Sequence, residues 1–189
     1  MQSILRNLWF VVAVSLLAGA CKNGEENPAP TDDNEAITTA TLTLTSQTTP
    51  VQTVTATIEN LNTTADLSRA TLNLRANTTY TGAITLLDKT KTPTLDVSAE
   101  VKEEENEHFF IYTFTPTTNS PASMTVTATD KDTNPAPGPY PIGLATQVST
   151  GVVGTGKLNV VLKHQPSAKN GTSAPGTTDF NTDFSVTIQ

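Results

Sequence analysis

Several residue types that commonly build functional sites are scarce in this sequence of 189 residues. There is one cysteine, Cys21, which excludes an intramolecular disulfide and a cysteine-rich metal site. The two histidines, His108 and His164, give a transition-metal site few nitrogen ligands. Tryptophan occurs once, at Trp9, and tyrosine three times, so a carbohydrate-binding surface of stacked aromatic rings is not favoured.

Signatures of common enzymes and of nucleic-acid binding are missing as well. The sequence contains no G-x-S-x-G elbow, no H-E-x-x-H pair and no phosphate-binding P-loop. Its net charge is −7, and no basic stripe interrupts the acidic composition. We therefore expect a protein that is not an enzyme and has no nucleic-acid partner.

The longest apolar run is also short. It covers residues 8–17, is interrupted only by Ser15, and has half the length needed to cross a hydrocarbon core, which takes about 20 residues. Arg6 precedes the run, and the small residues Ala18, Gly19 and Ala20 follow it. This order predicts a secretory signal peptide at residues 1–20.

The position of Cys21 indicates that this is the signal peptide of a lipoprotein. The segment LLAGAC at residues 16–21 resembles the lipobox of bacterial lipoproteins, in which the cysteine thiol is lipidated before cleavage. The pattern departs from the lipobox at Ala18, where leucine is preferred. We expect lipid on Cys21 and anchoring to the outer membrane. The acyl chains would hold the protein firmly, because each CH₂ that they bury contributes about 0.8 kcal/mol. The alternative is a soluble exported protein with an unmodified cysteine.

A polar and acidic segment separates Cys21 from the first apolar pattern. Residues 21–36 contain two prolines and no apolar side chain larger than alanine, which predicts a flexible tether. The tether resembles the acidic export tags of Bacteroidota surface lipoproteins, so we expect a periplasmic or cell-surface location. After removal of Arg6 with the signal peptide, the net charge becomes −8. Residues 37–189 are predicted to form a single domain.

Threonine dominates the predicted domain, with 37 residues in the whole sequence. It alternates with apolar residues at a period of two, the pattern of strands with one buried face. The segment at residues 109–114 is apolar on both faces, which predicts a central strand. Similar patterns predict strands near residues 37–45, 53–58, 70–74, 80–86, 124–128, 142–148, 158–163 and 184–188.

Two kinds of segment interrupt the predicted strands. Residues 95–107 contain good helix formers, with Asp96 or Ser98 as the N-cap, and predict a short helix or an irregular crossover. Residues 130–141 and 165–179 are rich in proline, glycine and polar residues, which predicts long loops. Eight to ten strands with one helical interruption indicate an all-β, antiparallel β-sandwich, Ig-like or jelly-roll-like. An open two-sheet barrel is the alternative.

Four segments together resemble a family of small Bacteroidota lipoproteins: ITTATLTLT at 37–45, LRANTTYTGAITLLD at 74–88, EEENEHFFIYTF at 103–114 and GTGKLNVVLKHQP at 154–166. Members are commonly labelled type 1 periplasmic-binding-fold proteins, a label that implies a two-lobed α/β receptor. The strand pattern of this sequence predicts an all-β domain instead. The resemblance implies a surface or outer-membrane lipoprotein that acts beside an outer-membrane receptor.

The first candidate site is a calcium loop at Asp130, Asp132 and Asn134. Their alternate spacing matches the start of the D-x-[DN]-x-[DN]-G calcium loop, although Pro135 stands where that loop needs glycine and Pro141 where it needs glutamate. The alternative is a solvated turn. Tyr140 in the same loop is a candidate contact residue, or else it packs on the core.

The second candidate is a divalent-metal site at Glu105, Glu107 and His108, with His164 as a further ligand that is distant in the sequence. The alternative is a solvated acidic helix end. With these sites the sequence favours a membrane-anchored, non-enzymatic binding or accessory module that contacts a small ligand or a receptor. A structural or adhesion module is the second interpretation, and a metal-dependent enzyme is the third.

Overall fold

The alternation of threonine with apolar residues produces eleven strands in the computed structural model, which describes residues 36–189. The predicted signal peptide, the predicted lipidation at Cys21 and the tether up to residue 35 lie outside the described residues. The strands are β1 (Thr39–Ser46), β2 (Thr53–Glu59), β3 (Asp66–Arg69), β4 (Thr71–Leu74), β5 (Thr79–Asp88), β6 (Leu95–Asp96), β7 (His108–Pro116), β8 (Met124–Ala128), β9 (Ala145–Thr150), β10 (Gly154–His164) and β11 (Thr177–Ile188).

The strands form two sheets, and the predicted all-β sandwich is confirmed. Sheet A has the order β3-β2-β1-β5-β9-β8, and β6 adds to β5. Sheet B has the order β4-β11-β10-β7. Neighbouring strands are antiparallel except for β4 and β11, which run parallel from Thr71 beside Ser185 to Leu74 beside Ile188. The predicted antiparallel sandwich therefore contains one parallel pair.

A single core lies between the sheets, and it follows the period-two pattern. Leu42 and Leu44 of sheet A and Leu158 and Leu162 of sheet B are almost completely buried. Burial of each such side chain contributes about 1.5–3 kcal/mol. On the outer face of sheet A, threonine hydroxyls meet across β1 and β2 at 3.2–3.3 Å, in the pairs Thr41–Thr57, Thr43–Thr55 and Thr45–Thr53.

The position of β7 differs from the prediction. β7 pairs only with β10, so it is an edge strand of sheet B and not a central strand. Its open side is covered by the loop after β8, where the Phe110 backbone N–H donates to the Ile142 carbonyl at 2.7 Å. The Tyr112 hydroxyl donates to the Gly143 carbonyl at 2.6 Å. The second apolar face of β7 therefore reflects this covering loop and not a second neighbouring strand.

The predicted helical segment contains α1 (Val97–Glu103). Asp96 is the N-cap, and its side chain accepts from the Ala99 backbone N–H. Ser98, the other predicted cap, instead accepts from the Leu86 backbone N–H at 2.6 Å and so attaches α1 to β5. Among residues 36–189, no helix has the length and hydrophobicity needed to cross a membrane.

The number of strands exceeds the prediction of eight to ten. The additional strands are short: β6 has two residues, and β3 has four residues that are all exposed. Neither segment alternates between buried and exposed side chains, so the period-two pattern does not detect it.

Candidate functional site

The loop between β8 and β9 contains the predicted calcium ligands, and Asp132 lies at its centre. Asp132 is buried, and its Oδ2 lies 2.9 Å from the Lys169 ammonium. Its Oδ1 accepts from the backbone N–H of Tyr140 at 2.7 Å and of Asn134 at 3.2 Å. The Asn134 side-chain amide donates to Oδ2 at 2.8 Å. Hydrogen-bond donors therefore already surround both oxygens of this carboxylate.

The three predicted calcium ligands do not face one point. Asp130 accepts from the backbone N–H groups of Gly143 and Ala145, at 2.8 and 3.2 Å. Asn134 presents its N–H₂ group, and not its oxygen, to Asp132. A cation would compete here with the Lys169 ammonium for the Asp132 oxygens. The geometry favours a structural role for the loop, and calcium binding stays a prediction.

Tyr140 belongs to the same structure. Its backbone carbonyl accepts from the Asp132 N–H at 2.9 Å, which makes the contact between the two residues reciprocal. Its ring packs over Gly171, where an added Cβ would lie 2.9 Å from the ring. Gly171 also has a φ of +78°, a conformation that glycine adopts readily. The Tyr140 ring is half-buried against the loop between β10 and β11 and does not join the core, and a contact role for it stays a prediction.

Lys169 joins this loop to the turn after α1. Its ammonium donates to the Glu105 carbonyl at 2.7 Å as well as contacting Asp132. Burial lowers the pKa of Lys169 below its ordinary value, although the Asp132 carboxylate acts in the opposite direction. Burial acts to raise the pKa of Asp132, but the hydrogen bonds from Lys169, Asn134 and Tyr140 hold it below its ordinary value. The pair fixes the turn at residues 104–107 in place.

That turn leads to the two histidines. His108, the first residue of β7, pairs with His164, the last residue of β10. Their rings stack with centroids 4.7 Å apart and planes within 5° of parallel. The two residues continue the core-facing rows of Phe110 and Leu162, so both rings lie at the end of the core. His164 therefore lies next to His108, whereas its position in the sequence had indicated a distant ligand.

Three carboxylates approach the stacked rings, and with them form the histidine cluster (Glu104, Glu107, His108, His164 and Asp179). Nδ1 of His108 lies 3.9 Å from Oε2 of Glu104, and its Nε2 lies 3.6 Å from Oδ2 of Asp179. Nε2 of His164 lies 3.4 Å from Oε2 of Glu107. Within residues 36–189, no lysine or arginine forms an ion pair with any of these three carboxylates.

The predicted metal ligands are only partly brought together. Potential ligand atoms of Glu104, His108 and His164 all lie within 4.8 Å of one another. Glu107 lies beside this group through its contact with His164. Glu105 points elsewhere, because its carboxylate contacts the Lys102 ammonium. Glu104 thus replaces Glu105 next to the imidazoles.

Asp179 was not identified from the sequence. The register of β10 and β11 shifts at this point, with Leu162 opposite Phe180 and Lys163 opposite Thr178, which leaves Asp179 as the extra residue of a β-bulge. Bulges of this kind redirect a side chain. Asp179 and Phe180 are consecutive and both buried, so the bulge turns the carboxylate into the interior. Only the strand register reveals this placement.

Buried polar atoms without a hydrogen-bond partner are concentrated here. They are Nε2 of His108, Oε1 of Gln165 and both carboxylate oxygens of Asp179. The Gln165 amide donates to the carbonyls of Thr172 and Pro175, so only its oxygen is unpaired. A cleft of about 440 Å³ adjoins the cluster and is lined by His164, Pro166, Ala168, Gly176 and Thr177.

A second cleft, of about 260 Å³, is polar and lies at the ends of β1, β2 and β5. Its carboxylate, Glu59, is already paired with Lys89 at 2.7 Å and with Arg69 at 3.0 Å. The side chains of all three residues are partly exposed. This cleft therefore lacks the unpaired charge found at the histidine cluster.

Compared with family models, with curated proteins and with solved structures, the chain matches none of them.

Proposed function

We propose that this protein is an exported, lipid-anchored binding protein that is not an enzyme, and that its ligand binds at the histidine cluster. One observation carries the proposal: four buried polar atoms at this end of the sandwich have no hydrogen-bond partner. Leaving a buried donor or acceptor unpaired costs about 1–3 kcal/mol. A ligand that binds the cluster and brings these groups into hydrogen bonds offsets that cost, which supports a role in binding.

The location of the cluster supports this function. The half-buried His164 ring borders the 440 Å³ cleft, so a ligand reaches the cluster from solvent. The three carboxylates contact only histidines as basic partners in the described part of the chain. The cluster is therefore suited to a ligand that carries positive charge.

The anchoring part of the proposal rests on the sequence. The lipobox-like segment ends at Cys21, directly after the predicted signal peptide, and fifteen residues separate Cys21 from Ile37, where the apolar pattern begins. A tether of this length extends up to about 50 Å at about 3.3 Å per residue. It would hold the binding end within reach of an outer-membrane receptor, the partner class implied by the family resemblance.

Native mass spectrometry of the whole lipidated protein, isolated gently from its own membranes, tests the binding function. We expect a stoichiometric bound ion, small molecule or partner protein that is lost in His164→Ala. The matched control is Glu103→Gln, which removes an exposed carboxylate of α1 outside the cluster. Recovery with nothing bound, or self-association that His164→Ala leaves intact, would overturn the proposal in favour of a structural module.

A further inference from the structure

The donor types in the histidine cluster define the class of ligand. Two imidazoles and a carboxylate, from His108, His164 and Glu104, supply ligand atoms within 4.8 Å of one another. Nitrogen and oxygen donors in this combination suit borderline divalent ions such as Zn²⁺, whereas Ca²⁺ and Mg²⁺ prefer oxygen donors alone. We infer that the cluster is a site for a borderline divalent metal ion of the Zn²⁺ type, an inference that rests on the proposed binding function.

The distances require a small closure of the site. In a tetrahedral Zn²⁺ site with bonds of about 2.1 Å, neighbouring ligand atoms are about 3.4 Å apart. The ligand atoms of Glu104, His108 and His164 lie within 4.8 Å of one another. To reach a separation of about 3.4 Å, they need to approach by little more than about 1 Å. Glu104 is exposed and can make this movement without disturbing the core.

The orientation of His108 identifies its coordinating nitrogen. Nδ1 faces Glu104, at 3.3 Å from its backbone carbonyl and 3.9 Å from its carboxylate, whereas Nε2 faces the buried carboxylate of Asp179. Metal-bound histidines commonly donate their other ring N–H to a carboxylate, which fixes the tautomer and makes the coordinating nitrogen more basic. Nε2 is then the N–H donor to Asp179, and Nδ1 becomes the ligand when the ion displaces its contact with the Glu104 carbonyl. Asp179 is the positioning residue. This role explains why a β-bulge places an unpaired carboxylate at this point.

The stacked rings identify the part that moves. A metal ion lies close to the plane of each imidazole that binds it, and the parallel planes of His108 and His164 do not meet at one point. One ring must therefore tilt when the ion binds. The His108 side chain is fully buried, whereas that of His164 is 17% exposed and adjoins the cleft. His164 is the ring that turns, and the cleft is the route by which the ion enters.

Glu107 and the cleft lie next to the three ligands. Glu107 lies 3.4 Å from Nε2 of His164 and adds negative charge beside the site, while the three ligands remain Glu104, His108 and His164. A site with three protein ligands retains an open coordination position for water or for a donor from another molecule. This position would face the cleft, so the bound ion stays exchangeable, as a binding or transfer protein requires.

Calorimetric titration of the full-length lipidated protein in detergent, stripped of metal with a chelator and titrated with ZnCl₂, tests the inference. We expect saturation at one ion per chain. Glu104→Gln and His164→Ala should each weaken binding about 100-fold, and Asp179→Asn about 10- to 100-fold, the range for groups that support a metal ligand. Glu103→Gln should bind as the wild type does. Circular dichroism verifies that each variant is folded.

The outcomes separate the metal site from its alternatives. If Asp179 had only a structural role, Asp179→Asn would lower the melting temperature and leave the zinc affinity unchanged, which would overturn its assignment as a positioning residue. Absence of one-to-one binding, or wild-type zinc affinity in Glu104→Gln and His164→Ala, would overturn the metal site itself. A non-metal ligand seen in native mass spectrometry and lost in His164→Ala would then preserve the binding function alone.

Discussion

Asp132 and Lys169 are opposite charges that the fold buries together. Replacement of one member leaves the other charge without a partner, which typically costs about 3–5 kcal/mol, whereas replacement of both by similar uncharged groups is often nearly neutral. We therefore expect Asp132→Asn to lower the free energy of unfolding by about 3 kcal/mol and Asp132→Asn/Lys169→Met to recover most of that loss.

Urea unfolding of both single variants and the double variant measures this coupling. Asp66→Asn is a matched control, because that carboxylate is exposed and accepts only a local hydrogen bond from Ser68. Additive losses in the double variant would contradict a coupled pair.

The same carboxylate gives the protein a predicted acid dependence. The pKa of Asp132 is lower in the folded chain than its ordinary value of 3.8, because its hydrogen-bond donors outweigh the effect of burial. The unfolded chain therefore takes up the proton first as the pH falls. The stabilising contribution of Asp132 is complete above about pH 4 and is lost as the pH falls further, through the folded pKa.

Denaturant unfolding between pH 3 and 6 checks this dependence. The Asp132→Asn/Lys169→Met variant should lose less stability over that interval than the wild type, because it lacks the titrating group. Identical pH profiles would show that other carboxylates account for the acid sensitivity.

At the scale of single residues, sequence reasoning found the right segments and missed the partners. The spacing of Asp130, Asp132 and Asn134 indicated a polar loop, but Lys169 reaches Asp132 only after folding. His164 meets His108 through strand pairing between residues 56 positions apart. Asp179 depends on a bulge in the same pairing. Local spacing contains none of this information, because register is set by tertiary packing.

Among the elements, α1 is attached at its beginning by two different hydrogen bonds. The Ser98 hydroxyl accepts from the buried end of β5, and the Asp96 carboxylate caps the first turn at the surface. Ser98→Ala leaves the Leu86 N–H unpaired and should cost about 1–3 kcal/mol. Asp96→Ala removes an exposed cap and should cost about 1 kcal/mol.

Thermal and urea unfolding of the two variants establish the order. Loss of Ser98 should be the more destabilising, since the Asp96 bond is longer, at 3.3 Å, and exposed to water. A larger effect of Asp96→Ala would show that helix capping, and not attachment to β5, holds α1 in place.

The strands that the sequence predicted are those with one buried and one exposed face. β1, β4, β5 and β10 alternate between threonine, other polar residues and buried apolar residues, and all four lie where the pattern placed them. The sequence predicted a central position for β7, whereas β7 is an edge strand. Apolar side chains on both faces indicate that both faces are covered, but a loop can cover a face as well as a strand can.

For the whole molecule, the first property to test is attachment to the membrane. Cys21→Ser removes the thiol that the predicted lipid requires, and we expect the protein to move from the membrane fraction to the soluble fraction. Lys22→Ala, one residue further along the tether, is the matched control and should stay with the membrane. Cell fractionation with immunoblotting measures the distribution. Membrane retention of Cys21→Ser would contradict lipid anchoring.

The parallel pairing of β4 with β11 determines when the sandwich can close. β11 lies between β4 and β10 in sheet B, and it follows every other described strand in the chain. While residues 177–188 are still being synthesised, β4 has no partner in that sheet, and one edge of β10 has no neighbouring strand. The partly made chain therefore cannot complete its core. Under the proposed export in an extended form, this order would delay folding until the last strand is available.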